Sequence, residues 1–224
     1  MEKSNKGVLS SRALIGLYVM DGLLNLFLTY LFPDFKDSRY ITKPLLMILL
    51  MAYAAQEADL SIRKSLLITL FFSLLGDVFL MLPGTNPLYF QLGIGAFLGS
   101  QIGYISLFYK QRDKIMYLFL LPIVIYVGGF LAFLLPNVKP MLQIPVTIYA
   151  LALGAMLFFA LNRKKDHAYN QVVLGALLFV SSDSILAILK FYYSFQGNSL
   201  AVMSTYIAAQ LLLSLGLCKL QDRN

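Results

Sequence analysis

Eight apolar runs separated by short polar breaks make up most of the chain. They cover residues 13–33, 42–56, 64–83, 88–109, 115–135, 141–161, 169–190 and 199–219. All but the second approach the roughly 20 residues that an α-helix needs to cross a bilayer core about 30 Å thick. The second opens on Thr42-Lys43-Pro44 and, being shorter, suits a tilted or partly interfacial helix. The breaks carry turn and charge chemistry, as in Pro83-Gly84-Thr85-Asn86-Pro87, the Pro136 to Pro140 stretch and Asn162-Arg163-Lys164-Lys165. None is long enough to form a lid domain. The pattern predicts an all-α, polytopic membrane bundle of about eight transmembrane helices, a single integral membrane domain over residues 1–224.

Composition agrees with lipid as the main solvent. Of the 224 residues, 59% are hydrophobic and 13% charged, against roughly 25% charged in an ordinary soluble domain. The net charge of +7 does not indicate nucleic acid, because the Lys and Arg residues sit in the short breaks, where head groups and topology account for them. Thirteen lie on one side: Lys3, Lys6, Arg12, Arg63, Lys64, Lys110, Arg112, Lys114, Arg163, Lys164, Lys165, Lys219 and Arg223. Five lie on the other: Lys36, Arg39, Lys43, Lys139 and Lys190. The bias predicts cytoplasmic termini, and an even number of spans also puts the two ends together. The compact chain suggests a bacterial inner membrane. Met1 to Arg12 leads into an apolar run too long for a signal peptide and without a clear cleavage site, so it reads as a retained first helix. Tyr30, Tyr40, Tyr89, Tyr109, Tyr192 and Tyr193, near run ends in a chain without Trp, read as interfacial anchors. The single cysteine, Cys218, excludes an intramolecular disulfide, and near a run end it reads as a packing residue.

Ionisable groups inside spans mark candidate function, because a carboxylate at the bilayer centre costs at least about 2.5–3.5 kcal/mol. Three occur: Asp21, Asp77 and Asp183. Asp77 and Asp183 both fall about 9–11 Å below the outer end of their helices at 1.5 Å per residue, which makes them candidates for one cavity. Asp21 lies nearer the middle of its helix and reads as a structural hydrogen-bonding group. Ser73 precedes Asp77 by one turn, Gly76 permits close approach, and Ser181, Ser182 and Ser184 flank Asp183. FFSLLGDVFLML around Asp77 parallels LLFVSSDSILAIL around Asp183, and each is followed by a span with a central glutamine, Gln101 or Gln210. This suggests two related four-helix halves. Thr42 and Pro44 suit the start of helix two, where Lys43 would oppose the helix dipole unless an anion such as a phospholipid head group lay nearby. Asn25, Gln91, Gln101, Tyr104, Tyr149, Tyr206 and Gln210 read singly as interhelical glue and together as a polar cavity. His167 lies in a basic break and, as the one histidine, excludes a multi-histidine metal site. No HExxH, GxSxG, CxxC or glycine-rich phosphate loop is present.

Several of these segments together resemble the YhhN-like lysoplasmalogenases, small eight-helix membrane proteins. They are Thr42-Lys43-Pro44, Ser73-Leu74-Leu75-Gly76-Asp77, Phe90 to Tyr104, Gly175-Ala176-Leu177-Leu178-Phe179 leading to Ser182-Asp183, and Thr205-Tyr206-Ile207-Ala208-Ala209-Gln210, in family order. One departure is Gln101, where a histidine three residues before Tyr104 is expected. The resemblance implies an ether hydrolase that cleaves the vinyl ether of a lysoplasmalogen to a fatty aldehyde and a glycerophospho-head-group product. No cofactor, metal, nucleic acid or protein partner is implied; the partners are the lysophospholipid substrate and membrane lipids. Asp77 and Asp183 would be the catalytic carboxyl groups, one supplying a proton and the other stabilising the resulting cation and orienting water, as carboxyl pairs divide the work in glycoside hydrolysis. Lys43, Ser73, Gln101, Tyr104, Ser182, Tyr206 and Gln210 would bind substrate. Two other classes stay open on the residues alone: a proton- or cation-coupled transporter and a lipid-binding membrane protein.

Overall fold

The computed structural model describes residues 9–31, 36–82, 87–192 and 198–218. The turn at Pro83-Gly84-Thr85-Asn86, Tyr193 and the terminal basic residues Lys3, Lys6, Lys219 and Arg223 lie outside them. The described residues fold into eight long helices: α1 (Ser11–Leu31), α2 (Lys36–Glu57), α3 (Leu60–Met81), α4 (Pro87–Lys110), α5 (Leu120–Leu134), α6 (Pro140–Leu161), α7 (Tyr169–Phe191) and α8 (Asn198–Cys218). Single 3₁₀ turns at Tyr117–Phe119 and Leu135–Asn137 flank α5. Seven of these segments are long and apolar enough to cross a membrane. The protein is therefore an integral, multi-pass membrane protein.

Helix α2 is the exception in hydropathy. The apolar run starts at Thr42, but the helix starts at least six residues earlier, at Lys36, and carries Lys36, Asp37, Arg39 and Lys43 in its first half. Thr42 is therefore not a cap and Pro44 is not in the first turn; Pro44 lies inside the helix and leaves the Tyr40 carbonyl without its helical donor. Thr42 Oγ1 accepts instead from Asn25 Nδ2 of α1 at 2.6 Å. Of the charged residues in this half of the helix, Lys43 reaches a partner in the bundle, the Asp77 carboxylate of α3.

Packing repeats between the halves. Helix α3 lies against α4 as α7 lies against α8, α2 against α3 as α6 against α7, and α4 meets α6 as α8 meets α2. Close approach of α7 and α8 depends on Gly175, where a Cβ would stand 3.1 Å from the Leu213 backbone N and 3.2 Å from the Ala209 carbonyl. Side chains of Leu, Ile and Phe that face outward, such as Leu23, Ile41, Leu121 and Ile144, are exposed on the surface that lipid covers.

At the end of the bundle that holds the α2–α3, α4–α5 and α6–α7 breaks, polar groups fasten the loops. Asp59 caps α3 by accepting from Ser61 N at 2.7 Å, and this bond holds its carboxyl below the usual value. The α4–α5 and α6–α7 breaks pair through Asp113 N to Asn162 O at 3.1 Å and Lys164 N to Gln111 O at 3.0 Å. Arg163, 2% exposed, donates to Gln111 Oε1 at 3.1 Å and to Asp166 at 3.4 Å. Burial pushes its guanidinium down from the ordinary arginine value, and Asp166 opposes that. This basic break is a structural clasp as well as a topological signal.

Candidate active site

Asp77 sits on α3 with no exposed surface. Its neighbour Gly76 allows the Phe97 ring of α4 to lie directly on α3, where a Cβ would come within 2.4 Å of Phe97 Cδ2. Phe97, Phe179 and Tyr206 then form an edge-to-face cluster with centroids 6.0–6.5 Å apart, sealing the carboxylate from lipid. Within that shell Asp77 has two charged or polar partners. Lys43 Nζ of α2 stands 2.9 Å from Oδ1, and Tyr206 of α8 donates its hydroxyl to Oδ2 at 2.7 Å. The anion expected beside Lys43 is thus Asp77 itself. Burying an ammonium and a carboxylate is tolerable because each neutralises the other, and removing either partner would strand a charge.

Asp183 occupies the corresponding place on α7. Its partner is Tyr149 of α6, whose hydroxyl donates to Oδ2 at 2.5 Å. In the repeated packing, α6 stands to α7 as α2 stands to α3, so Tyr149 takes the position that Lys43 holds opposite Asp77. One carboxyl group faces an ammonium and the other a neutral phenol. Asp183 is also half-buried where Asp77 is fully buried. It lines a narrow slot of about 70 Å³ between α4, α5, α6 and α7, whose walls are otherwise mostly apolar and include Ile94, Tyr126, Phe130 and Val180. Asp77 and Lys43 lie within electrostatic range of Asp183, without a direct bond to it.

The two central glutamines are exchanged between halves. Gln210 of α8 serves the Asp77 side: its amide donates to Ser73 Oγ at 3.1 Å and Tyr206 Oη at 3.3 Å, and its oxygen accepts from Tyr104 Oη at 2.7 Å. Gln101 of α4 lies by Tyr149 on the Asp183 side. It is fully buried, and neither amide atom has a hydrogen-bond partner among the described residues. A buried amide in that state is costly; Gln101 lies beside Tyr149 and is not among the described residues that line the slot.

The other expected binding residues act at one remove or elsewhere. Ser73 bonds Ser100 Oγ at 2.7 Å and Gln210, so it supports Tyr206 and does not touch Asp77. Tyr104 donates to Gln210 and packs on Phe108 and Phe179. Ser182 donates to the Val202 carbonyl at 3.0 Å and ties α7 to α8. Ser184 pairs with Tyr126 of α5 at 2.6 Å at the mouth of the slot. Asp21 is buried on α1 with Oδ2 unpartnered among the described residues, one turn from Asn25. Tyr149 is the residue whose role the sequence underplays. Its only signal is polarity within a span, which Tyr206 shares.

Comparison with known proteins bears on this geometry. The model of the YhhN family matches residues 38–217, from the first turn of α2 almost to the end of α8, with α1 outside it. Lysoplasmalogenase TMEM86B of Homo sapiens is 33% identical over 143 residues, 64% of this chain and 58% of its own. TMEM86B of Rattus norvegicus is 40% identical over 84 residues, 38% of this chain and 34% of its own. The lysoplasmalogenase of Mycobacterium tuberculosis is 28% identical over 192 residues, 82% of this chain and 69% of its own. The chain thus spans less than two thirds of the two mammalian relatives. No solved structure matches.

Proposed function

The chain belongs to the YhhN family, and from that premise we propose that it is a membrane-embedded hydrolase cleaving the vinyl ether of lysoplasmalogen to a fatty aldehyde and a glycerophospho-head-group product. The observation that carries the reading is the unequal pairing of the two carboxyl groups: Asp77 with an ammonium, and Asp183 with a phenol at the wall of an apolar slot.

The division assigns roles. Asp77, ion-paired to Lys43, is the permanent carboxylate. Asp183, without an adjacent cation, carries the proton and is the general acid. The alkenyl end of the substrate enters the slot, and the rest of its chain extends into the bilayer along the seam between α5 and α7. Asp183 gives its proton to the vinyl carbon remote from the ether oxygen, leaving an oxocarbenium ion that the Asp77 carboxylate stabilises. Water adds to the carbon bonded to oxygen and returns a proton to Asp183. The hemiacetal then collapses: its hydroxyl proton passes to the departing glyceryl oxygen, releasing alcohol and aldehyde. Both termini are assigned to the cytoplasm by the distribution of Lys and Arg, which in a bacterium makes this an inner-membrane protein.

The test is turnover by purified protein of lysoplasmalogen beside its saturated 1-alkyl analogue. Aldehyde is expected from the vinyl ether alone, since only it forms a stabilised cation on protonation. Flux of the intact lipid across proteoliposomes, with no aldehyde formed, would instead favour a carrier.

A further inference from the structure

A second cavity, of about 410 Å³, opens beside the slot, within the range of small-ligand sites. Its cationic wall comes from two helices: Arg39, Tyr40 and Lys43 of α2, and Lys190 of α7. No acidic residue lines it among the described residues. Lys43 is committed to Asp77, but Arg39 and Lys190 pair with no carboxylate among the described residues, and Lys190 Nζ rests 4.7 Å above the Phe90 ring. Tyr40 donates to the Met81 carbonyl at 3.1 Å, fixing α2 against α3 at the cavity's edge. The cavity and the apolar slot share Leu80, Leu186 and Lys190 as lining. One compartment is therefore cationic and the adjoining one apolar, with the Asp183 carboxyl group on the apolar side and Lys43 on the cationic side.

We propose that Arg39 and Lys190 form a phosphate-binding subsite that holds the head-group phosphate of a single-chain phospholipid, with its ether-linked chain directed into the slot. A lysophospholipid has this bipartite layout, an anionic phosphate joined through three glycerol carbons to one apolar chain, so phosphate capture sets the depth at which the ether bond meets Asp183. Arg39 supplies a planar fork suited to phosphate oxygens, and Lys190 a point charge. The inference rests on the hydrolase reading for the identity of the reacting bond, but phosphate capture itself requires no turnover.

Calorimetric binding of an uncleavable 1-alkyl lysophospholipid and of the matching phosphate-free 1-alkylglycerol, in maltoside micelles, separates the two. The wild type is expected to bind the phosphate-bearing lipid about 100-fold more tightly. Arg39→Gln and Lys190→Gln should each cut that preference about tenfold, the effect of one charge-assisted hydrogen bond, and Lys190→Arg should retain it. Equal wild-type affinity for the two lipids, or an undiminished preference in both Gln variants, would overturn the subsite. Inorganic phosphate binding as tightly as the lipid would assign the cavity to a free anion and also overturn it. Aldehyde release without phosphate preference would sink the subsite and leave the hydrolase standing. Phosphate preference without aldehyde would do the reverse.

Discussion

Replacing Asp183 with Asn is expected to lower kcat for vinyl ether cleavage by about 10²–10⁴-fold, the usual contribution of a positioned general acid, while the protein keeps its fold. Asparagine has nearly the shape of aspartic acid and still accepts from Tyr149, so the 2.5 Å contact between α6 and α7 survives. What it cannot do is give up a proton to carbon. Aldehyde release and thermal unfolding in detergent, measured on the same preparation, separate chemistry from folding. An Asp183→Asn protein with wild-type turnover would remove Asp183 from the reaction. Asp77→Asn should also silence turnover, but it is the less clean test, because it leaves the Lys43 ammonium without its counter-ion.

That asymmetry gives the second large effect. Lys43→Met should destabilise the fold by about 3–5 kcal/mol, because it strands the Asp77 carboxylate, 1% exposed at its side chain, with Tyr206 as its one remaining partner. The loss is specific to the unpaired charge. Combining Lys43→Met with Asp77→Asn, which leaves neither charge, should restore much of the stability and none of the activity. Chemical unfolding of the two single variants and the double variant closes the cycle. If Lys43→Met unfolds like wild type, or the double variant is as unstable as the two single losses added together, the ion pair is not what joins α2 to α3.

The helices themselves were legible because lipid imposes a coarse rule: a run of about 20 apolar residues must satisfy its own backbone. Seven of eight could be placed on that rule alone. It misled at α2, where hydropathy hid the first six residues and made Thr42-Lys43-Pro44 look like a helix start. The missing information was that Lys43 has a carboxylate partner on α3, a contact between residues 34 positions apart that no local pattern records. Asp77 and Asp183 were legible for the complementary reason, since a carboxyl group inside a span needs an explanation wherever it occurs. Their inequality was not legible. It depends on which side chain of the neighbouring helix faces each one, Lys43 or Tyr149, and rotation of that helix by one residue, about 100°, would turn the partner away. For the same reason Ser73, Tyr104 and Ser182, polar and in the right turns, proved to hold other helices or Gln210 instead of touching either carboxyl group. Nor does the sequence record which neighbour each central glutamine meets, Gln210 serving Ser73 and Tyr206 and Gln101 lying by Tyr149.

The assignment of Asp183 as a proton donor to carbon is tested most directly by running the reaction in D₂O. Protonation of the vinyl carbon must place one solvent deuterium on the carbon next to the aldehyde carbonyl, and trapping the aldehyde by reduction as it forms preserves that label for mass spectrometry. Singly deuterated product is expected from lysoplasmalogen, formed about 10²–10⁴-fold more slowly by Asp183→Asn. Aldehyde released without deuterium at that carbon would show that the bond breaks without carbon protonation and would contradict the mechanism.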